Sequence, residues 1–138
     1  PTAVDGERVE APGYDLFHLL KEKDPDMEIV AEDLGYLRQE VLDLRDHFNF
    51  RGMRVIQFSW NSDGMGEERE HLTIYTGTHD NETMDTWYRH FNNHDRRRMR
   101  DCLKKMGYVE KSFDSNVIQY TLDSNADIAI IPMCDWLH

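Results

Sequence analysis

The sequence predicts an α/β fold of about half a (β/α) barrel, with four short parallel strands and covering helices. Short apolar runs alternate with segments whose apolar residues recur at helical spacing. The runs lack a polar side, as strands covered on both faces do, and strands alternating with helices form parallel sheets through right-handed crossovers. At 138 residues the chain has room for one modest domain, or for about half of the roughly 250 residues of a complete barrel.

Pro1 to Gly13 is punctuated by Gly6, Pro12 and Gly13 and reads as a loop. From Tyr14, the residues Leu16, Phe17, Leu19 and Leu20 predict a short helix closed by Asp24-Pro25-Asp26, since the residue before a proline is pushed out of helical geometry. The first strand is Glu28-Ile29-Val30-Ala31. After the turn Glu32-Asp33-Leu34-Gly35, a helix carries Leu37, Val41, Leu44 and Phe48 along one face. The second strand is Met53 to Phe58, opening at Gly52 and passing into a polar loop from Asn61 to Glu70. Leu72 to Thr76 is the third strand, followed by a helix near Thr83 with Met84, Trp87, Tyr88 and Phe91 in helical rhythm. A further helix bears Met99, Cys102, Leu103 and Met106 up to a stop at Gly107. Phe113 to Leu122 reads as another helix, and Ile128-Ala129-Ile130-Ile131 as the fourth strand.

Composition narrows the function. Hydrophobic residues make up 39%, under the roughly 45–50% of an average domain, and mean hydropathy is −0.75, so the apolar residues must be concentrated in the strands. A net charge of −11 repels phosphates and anionic membrane surfaces. Nucleic acid and membrane are therefore not expected as partners, whereas neutral sugars fit the field. Arg96-Arg97-Arg98 with Arg100 has no interleaved aromatics and reads as a solvated helix face. Cys102 and Cys134 lack metal-ligand spacing, and the chain has neither a signal peptide nor an apolar run near the roughly 20 residues of a membrane span. A reduced cytoplasmic setting is expected. A start at Pro1 without methionine and an end just past an apolar strand suggest a piece of a longer chain.

Two loops behind apolar strands hold the site candidates, because polar groups there are costly to bury unless paired or used. Glu32 sits at the mouth of the first strand, where partial burial would raise its pKa and let it deliver a proton to a leaving group. Otherwise it is a favourable negative charge at the start of the next helix. Asp33 reads as the cap of the turn. His79, Asp80 and Asn81 form a polar triplet that either caps the following helix or hydrogen-bonds vicinal sugar hydroxyls, with the carboxylate steadying positive charge in a transition state. Trp60, beyond its strand, can stack on a sugar ring or pack in the core. Trp87 belongs to a helix stripe and reads as core. Gln57, polar within a strand, faces the barrel interior or the site.

Taken in order, Ile29-Val30-Ala31-Glu32-Asp33-Leu34-Gly35, Gly52-Met53-Arg54-Val55-Ile56-Gln57-Phe58, Tyr75-Thr76-Gly77-Thr78-His79-Asp80-Asn81 and Ile130-Ile131-Pro132-Met133 with Asp135 resemble the amylomaltase family of 4-alpha-glucanotransferases. Gly6-Glu7-Arg8 and Pro12-Gly13 extend the resemblance over nearly the whole chain, but only over the later half of the family's catalytic barrel. The resemblance implies a (β/α)8 TIM barrel of which residues 1–138 supply roughly strands 5 to 8 of a single catalytic domain. It also implies transfer of α-1,4-glucan segments between maltodextrins, or from a starch-derived glucan, by a retaining route without an essential cofactor. Glu32 then matches the general acid/base, and Asp80 the carboxylate that binds ring hydroxyls and stabilises the transition state, assisted by His79. Asn81, Asp33, Trp60 and Gln57 are the further substrate-binding candidates. The nucleophilic aspartate falls upstream of Pro1, so the chain alone is expected to be inactive and its partner is the remaining half of the barrel. In a plant the location would be the plastid. Two other readings compete: a non-catalytic half-barrel that binds glucan or packs on a partner, and a metal-dependent hydrolase using Asp33, His79 and Asp80.

Overall fold

The structure, a computed structural model, describes residues 9–60 and 70–137. Pro1 to Arg8 of the opening loop and residues 61–69 of the Asn61–Glu70 loop lie outside the described residues. The chain runs α1 (Gly13–Lys23), α2 (Gln39–His47), β1 (Gly52–Val55), α3 (Ile56–Ser59), β2 (Leu72–Tyr75), α4 (Met84–Arg89), α5 (Asn93–Lys105), α6 (Phe113–Leu122), β3 (Ile128–Ile130) and α7 (Met133–Leu137). The strands form a parallel sheet in the order β1-β2-β3. The expected α/β alternation is therefore present.

Sheet register sorts the side chains onto two faces. Arg54 pairs with Ile74, and Ile74 with Ala129, on the face covered by α4, α5 and α6. There Ile56, Ile74, Met84, Leu103, Val117 and Tyr120 form the core. Met53, Tyr75 and Ile130 alternate onto the opposite face, where Ile130 remains 42% exposed. Arg54, only 7% exposed in mid-strand, is accommodated on the helix face because its Nη2 donates to the Tyr120 hydroxyl at 3.0 Å and its guanidinium lies 5.8 Å from that ring.

Local chemistry explains the helix ends. Thr83, Asn92 and Ser112 each turn a side-chain oxygen onto a backbone N–H three residues on, capping α4, α5 and α6. Gly107, at φ +99°, closes α5 in a left-handed turn, with its own N–H donating to the Lys104 carbonyl and the Tyr108 N–H to the Leu103 carbonyl. Phe17 packs edge-on to Phe50 at 4.8 Å and against Phe48 at 5.5 Å, which seats α1 on the end of α2.

The structure corrects three expectations. The predicted strand Glu28–Ala31 is reduced to a single parallel bridge, Val30 to Arg51, with Ala31 N–H donating to the Arg51 carbonyl at 2.7 Å. Parallel pairing would next give the Met53 N–H to the Ala31 carbonyl. Asp33 Oδ1 accepts that N–H instead, at 2.6 Å, and the ladder stops. The second strand ends at Val55, not Phe58, because the chain coils into α3, closed by Ser59 Oγ donating to the Val55 carbonyl at 2.9 Å. α7, which the sequence reading missed, follows β3 directly.

Candidate functional site

The carboxyl ends of the parallel strands open into a cleft of about 840 Å³. Glu32 and Asp80 both line it, together with His79 and the apolar side chains of Met53, Phe58, Tyr75 and Ile130. The two loops singled out by the sequence thus share one cavity, on the side of a parallel sheet where α/β barrels hold their chemistry. Glu32 is exposed rather than half-buried, so the described residues leave its carboxylate open to the cleft. Asp80 is also exposed, and its Oδ2 lies 3.2 Å from His79 Nε2.

The other candidates stand behind this surface. Asp33 is withdrawn from the cleft, with 3% of its side chain exposed. It accepts from the Met53 N–H and from the Arg45 guanidinium, which holds the Glu32 loop against β1. Burial opposes the charge on Arg45, but its hydrogen bonds and Coulomb attraction to Asp46 and Asp33 outweigh that, raising its pKa above the ordinary value. Gly52 beneath has no room for a side chain, since a Cβ there would lie 2.5 Å from Asp33 Oδ2. Asn81 turns inward too. Its Oδ1 accepts from the backbone N–H and the hydroxyl of Thr78, at 2.9 and 2.8 Å, and so shapes the loop rather than facing a ligand. Gln57, 8% exposed, donates to the Glu82 carbonyl at 2.8 Å and lies under Gly77.

The aromatic expectation changes as well. Trp60 is partly buried against the core, and Phe58, 62% exposed, takes the place in the cleft wall. Of the two readings open for Trp60 the structure gives the core one, because the chain coils into the helical turn α3 before reaching it. Trp87 packs on the core, as its helix stripe implies, with Phe91 edge-on at 4.9 Å. The metal reading loses its ligand set, since Asp33 is engaged by Arg45 on the far side of its loop. No group of three or more His, Cys, Asp or Glu side chains among the described residues could hold an ion.

The sequence reading gave no role to Thr76, Arg45, or the aspartate of α7. Asp135, 4% exposed, accepts from Thr76 Oγ1 at 2.6 Å and from the Met84 N–H at 2.8 Å, tying β2 to α4. An acidic residue in an otherwise apolar stretch just after a strand was the available signal.

A profile of the 4-alpha-glucanotransferase family matches residues 1–138. The chain belongs to that family. A 4-alpha-glucanotransferase of Thermus thermophilus is 36% identical over 148 residues, covering 99% of this chain and 29% of its own length. One of Streptococcus pneumoniae is 44% identical over 93 residues, covering 64% of this chain and 18% of its own. The amylomaltase from Streptococcus agalactiae, solved in complex with acarbose, superposes with a TM-score of 0.86 at 26% identity over 99% of this chain and 28% of that one. The chain therefore spans less than a third of the length of these relatives, as an α/β segment of the family fold. No helix among the described residues is long and apolar enough to cross a membrane.

Proposed function

We propose that this chain is the acid/base-bearing half of a (β/α)8 barrel, roughly strands 5 to 8. In the complete protein that barrel moves α-1,4-glucan segments from one maltodextrin to another by a retaining route. The observation that carries this reading is the common cleft of Glu32 and Asp80 at the carboxyl ends of parallel strands, in a chain matched throughout by the 4-alpha-glucanotransferase profile. An amylomaltase of the same family, solved with acarbose, supports a glucan as the ligand.

In this account Glu32 protonates the glycosidic oxygen as the bond breaks, then takes the proton of the incoming sugar hydroxyl as the second bond forms. A retaining route places a nucleophile about 5–5.5 Å from the acid/base, across the scissile bond. That residue is assigned to the part of the barrel that residues 1–138 do not include. Asp80, with His79 beside it, binds ring hydroxyls and stabilises the positive charge that develops on the sugar. The apolar faces of Tyr75, Phe58 and Met53 offer a surface on which a ring can pack while its edge hydroxyls meet the carboxylates. The chemistry as written needs no cofactor. Two free cysteines, one of them exposed, suit a reducing compartment, the cytoplasm or in a plant the plastid.

The test is Glu32→Gln in the complete enzyme. The amide keeps the shape and loses the proton, so transfer from maltotriose should fall by at least about 10²-fold while maltotriose binding stays within a few-fold. Near-normal turnover would refute the assignment.

A further inference from the structure

The loop that carries His79 and Asp80 leaves β2 after Tyr75 and enters α4 at Met84. Both of its ends are fastened to one buried carboxylate. Asp135 takes the Thr76 hydroxyl on Oδ2 and the Met84 N–H on Oδ1, so seven residues, 77–83, span the gap between its two oxygens. Asp80 has little hold of its own: its side chain is 80% exposed, and the His79 ring beside it is 90% exposed. The position of the Asp80 carboxylate therefore depends on where the loop begins and ends, with the Thr78–Asn81 and Gln57–Glu82 bonds shaping the span between.

Helix capping does not account for the aspartate. α4 already has its cap in Thr83, whose hydroxyl accepts from the Thr86 N–H. A carboxylate is costly to bury, and an apolar side chain would fill the same space without that penalty. What the carboxylate adds is two charge-assisted hydrogen bonds, roughly twice as strong as neutral ones, placed on both flanks of one functional loop.

We infer that Asp135 is a positioning residue for Asp80, clamping both ends of the loop so that the Asp80 carboxylate meets the sugar in the geometry of the transition state; this rests on the glucan-transfer reading of Asp80. A displacement of about 1 Å at such a group can cost about 10²-fold in rate.

The test uses the complete enzyme and maltotriose. Thr76→Val removes one anchor with little change of shape. It should lower kcat by about tenfold or more with KM within about threefold, while Thr76→Ser, which keeps the hydroxyl, restores turnover. Asp135→Ala should lower kcat further, and combined with Asp80→Ala it should lose no more than Asp80→Ala alone, because a clamp has nothing left to position. Unchanged kcat with only a lower Tm, or losses that multiply with that of Asp80→Ala, would overturn the clamp and leave Asp135 a packing residue. Asp80→Ala with near-full turnover would defeat the role of Asp80, and the clamp with it. An inactive Asp80→Ala beside a fully active Thr76→Val overturns the clamp alone.

Discussion

Asp33 gives one carboxylate oxygen to the Met53 N–H and the other to the Arg45 guanidinium, while Glu32, one position earlier, opens into the cleft. Neighbours in sequence thus divide the work of the loop, one fixing it and one facing the cleft. Strand-end placement was enough to put Glu32, His79 and Asp80 at the cleft. It could not separate them from Asp33, Asn81 and Gln57, because the partners that withdraw Asp33 and Gln57 lie 12 to 25 residues away in the chain. Only the fold brings those partners near. Removing Asp33 leaves Arg45 with Asp46 alone and strips the Met53 N–H of its acceptor. Asp33→Ala should therefore destabilise the complete enzyme by about 2 kcal/mol, measured as a lower denaturant midpoint; a change under about 0.5 kcal/mol, the level of an ordinary surface substitution, would contradict the structural role given to Asp33.

At the level of elements, apolar periodicity placed α1, α2, α4, α5, α6 and the three strands, with β1 and β2 as buried runs and α4, α5 and α6 turning their stripes into the core. It failed where a side chain interrupts the backbone pattern. Asp33 ends the pairing of the first strand after one bridge, and the coil at α3 shortens β1 and exchanges Trp60 for Phe58 in the cleft. Neither event leaves a signature in hydropathy. α7 escaped notice because its five residues are too few for a helical rhythm to show. At Gly52 β1 lies directly against the Asp33 carboxylate of the Glu32 loop. Gly52→Ala forces a methyl against Asp33 Oδ2 and should cost about 1–3 kcal/mol, with a parallel loss of kcat as the Glu32 loop shifts; wild-type stability and turnover would show that the loop has room to yield.

For the molecule as a whole, the sheet is covered by helices on one face and carries Met53, Tyr75 and the 42%-exposed Ile130 on the other. A parallel sheet ordinarily buries both faces, and in the proposed complete barrel the remaining strands face this one. That the chain carries parallel strands and covering helices of an α/β barrel was legible in its βα rhythm; the shared cleft was not, because a cavity is a property of the assembled wall. Incubated with maltotriose, the 138-residue chain alone should yield neither longer dextrins nor glucose, and formation of both would show that it needs no nucleophile from elsewhere. The central claim, that Glu32 delivers and removes the proton, is tested most directly by the leaving-group dependence of Glu32→Gln in the complete enzyme. A donor that needs no proton, such as a maltosyl fluoride, should still form the covalent intermediate, and added azide should release it as the maltosyl azide of retained configuration while transfer from maltotriose stays suppressed. Equal loss with fluoride and maltotriose donors, or transfer from maltotriose at the wild-type rate, would contradict it.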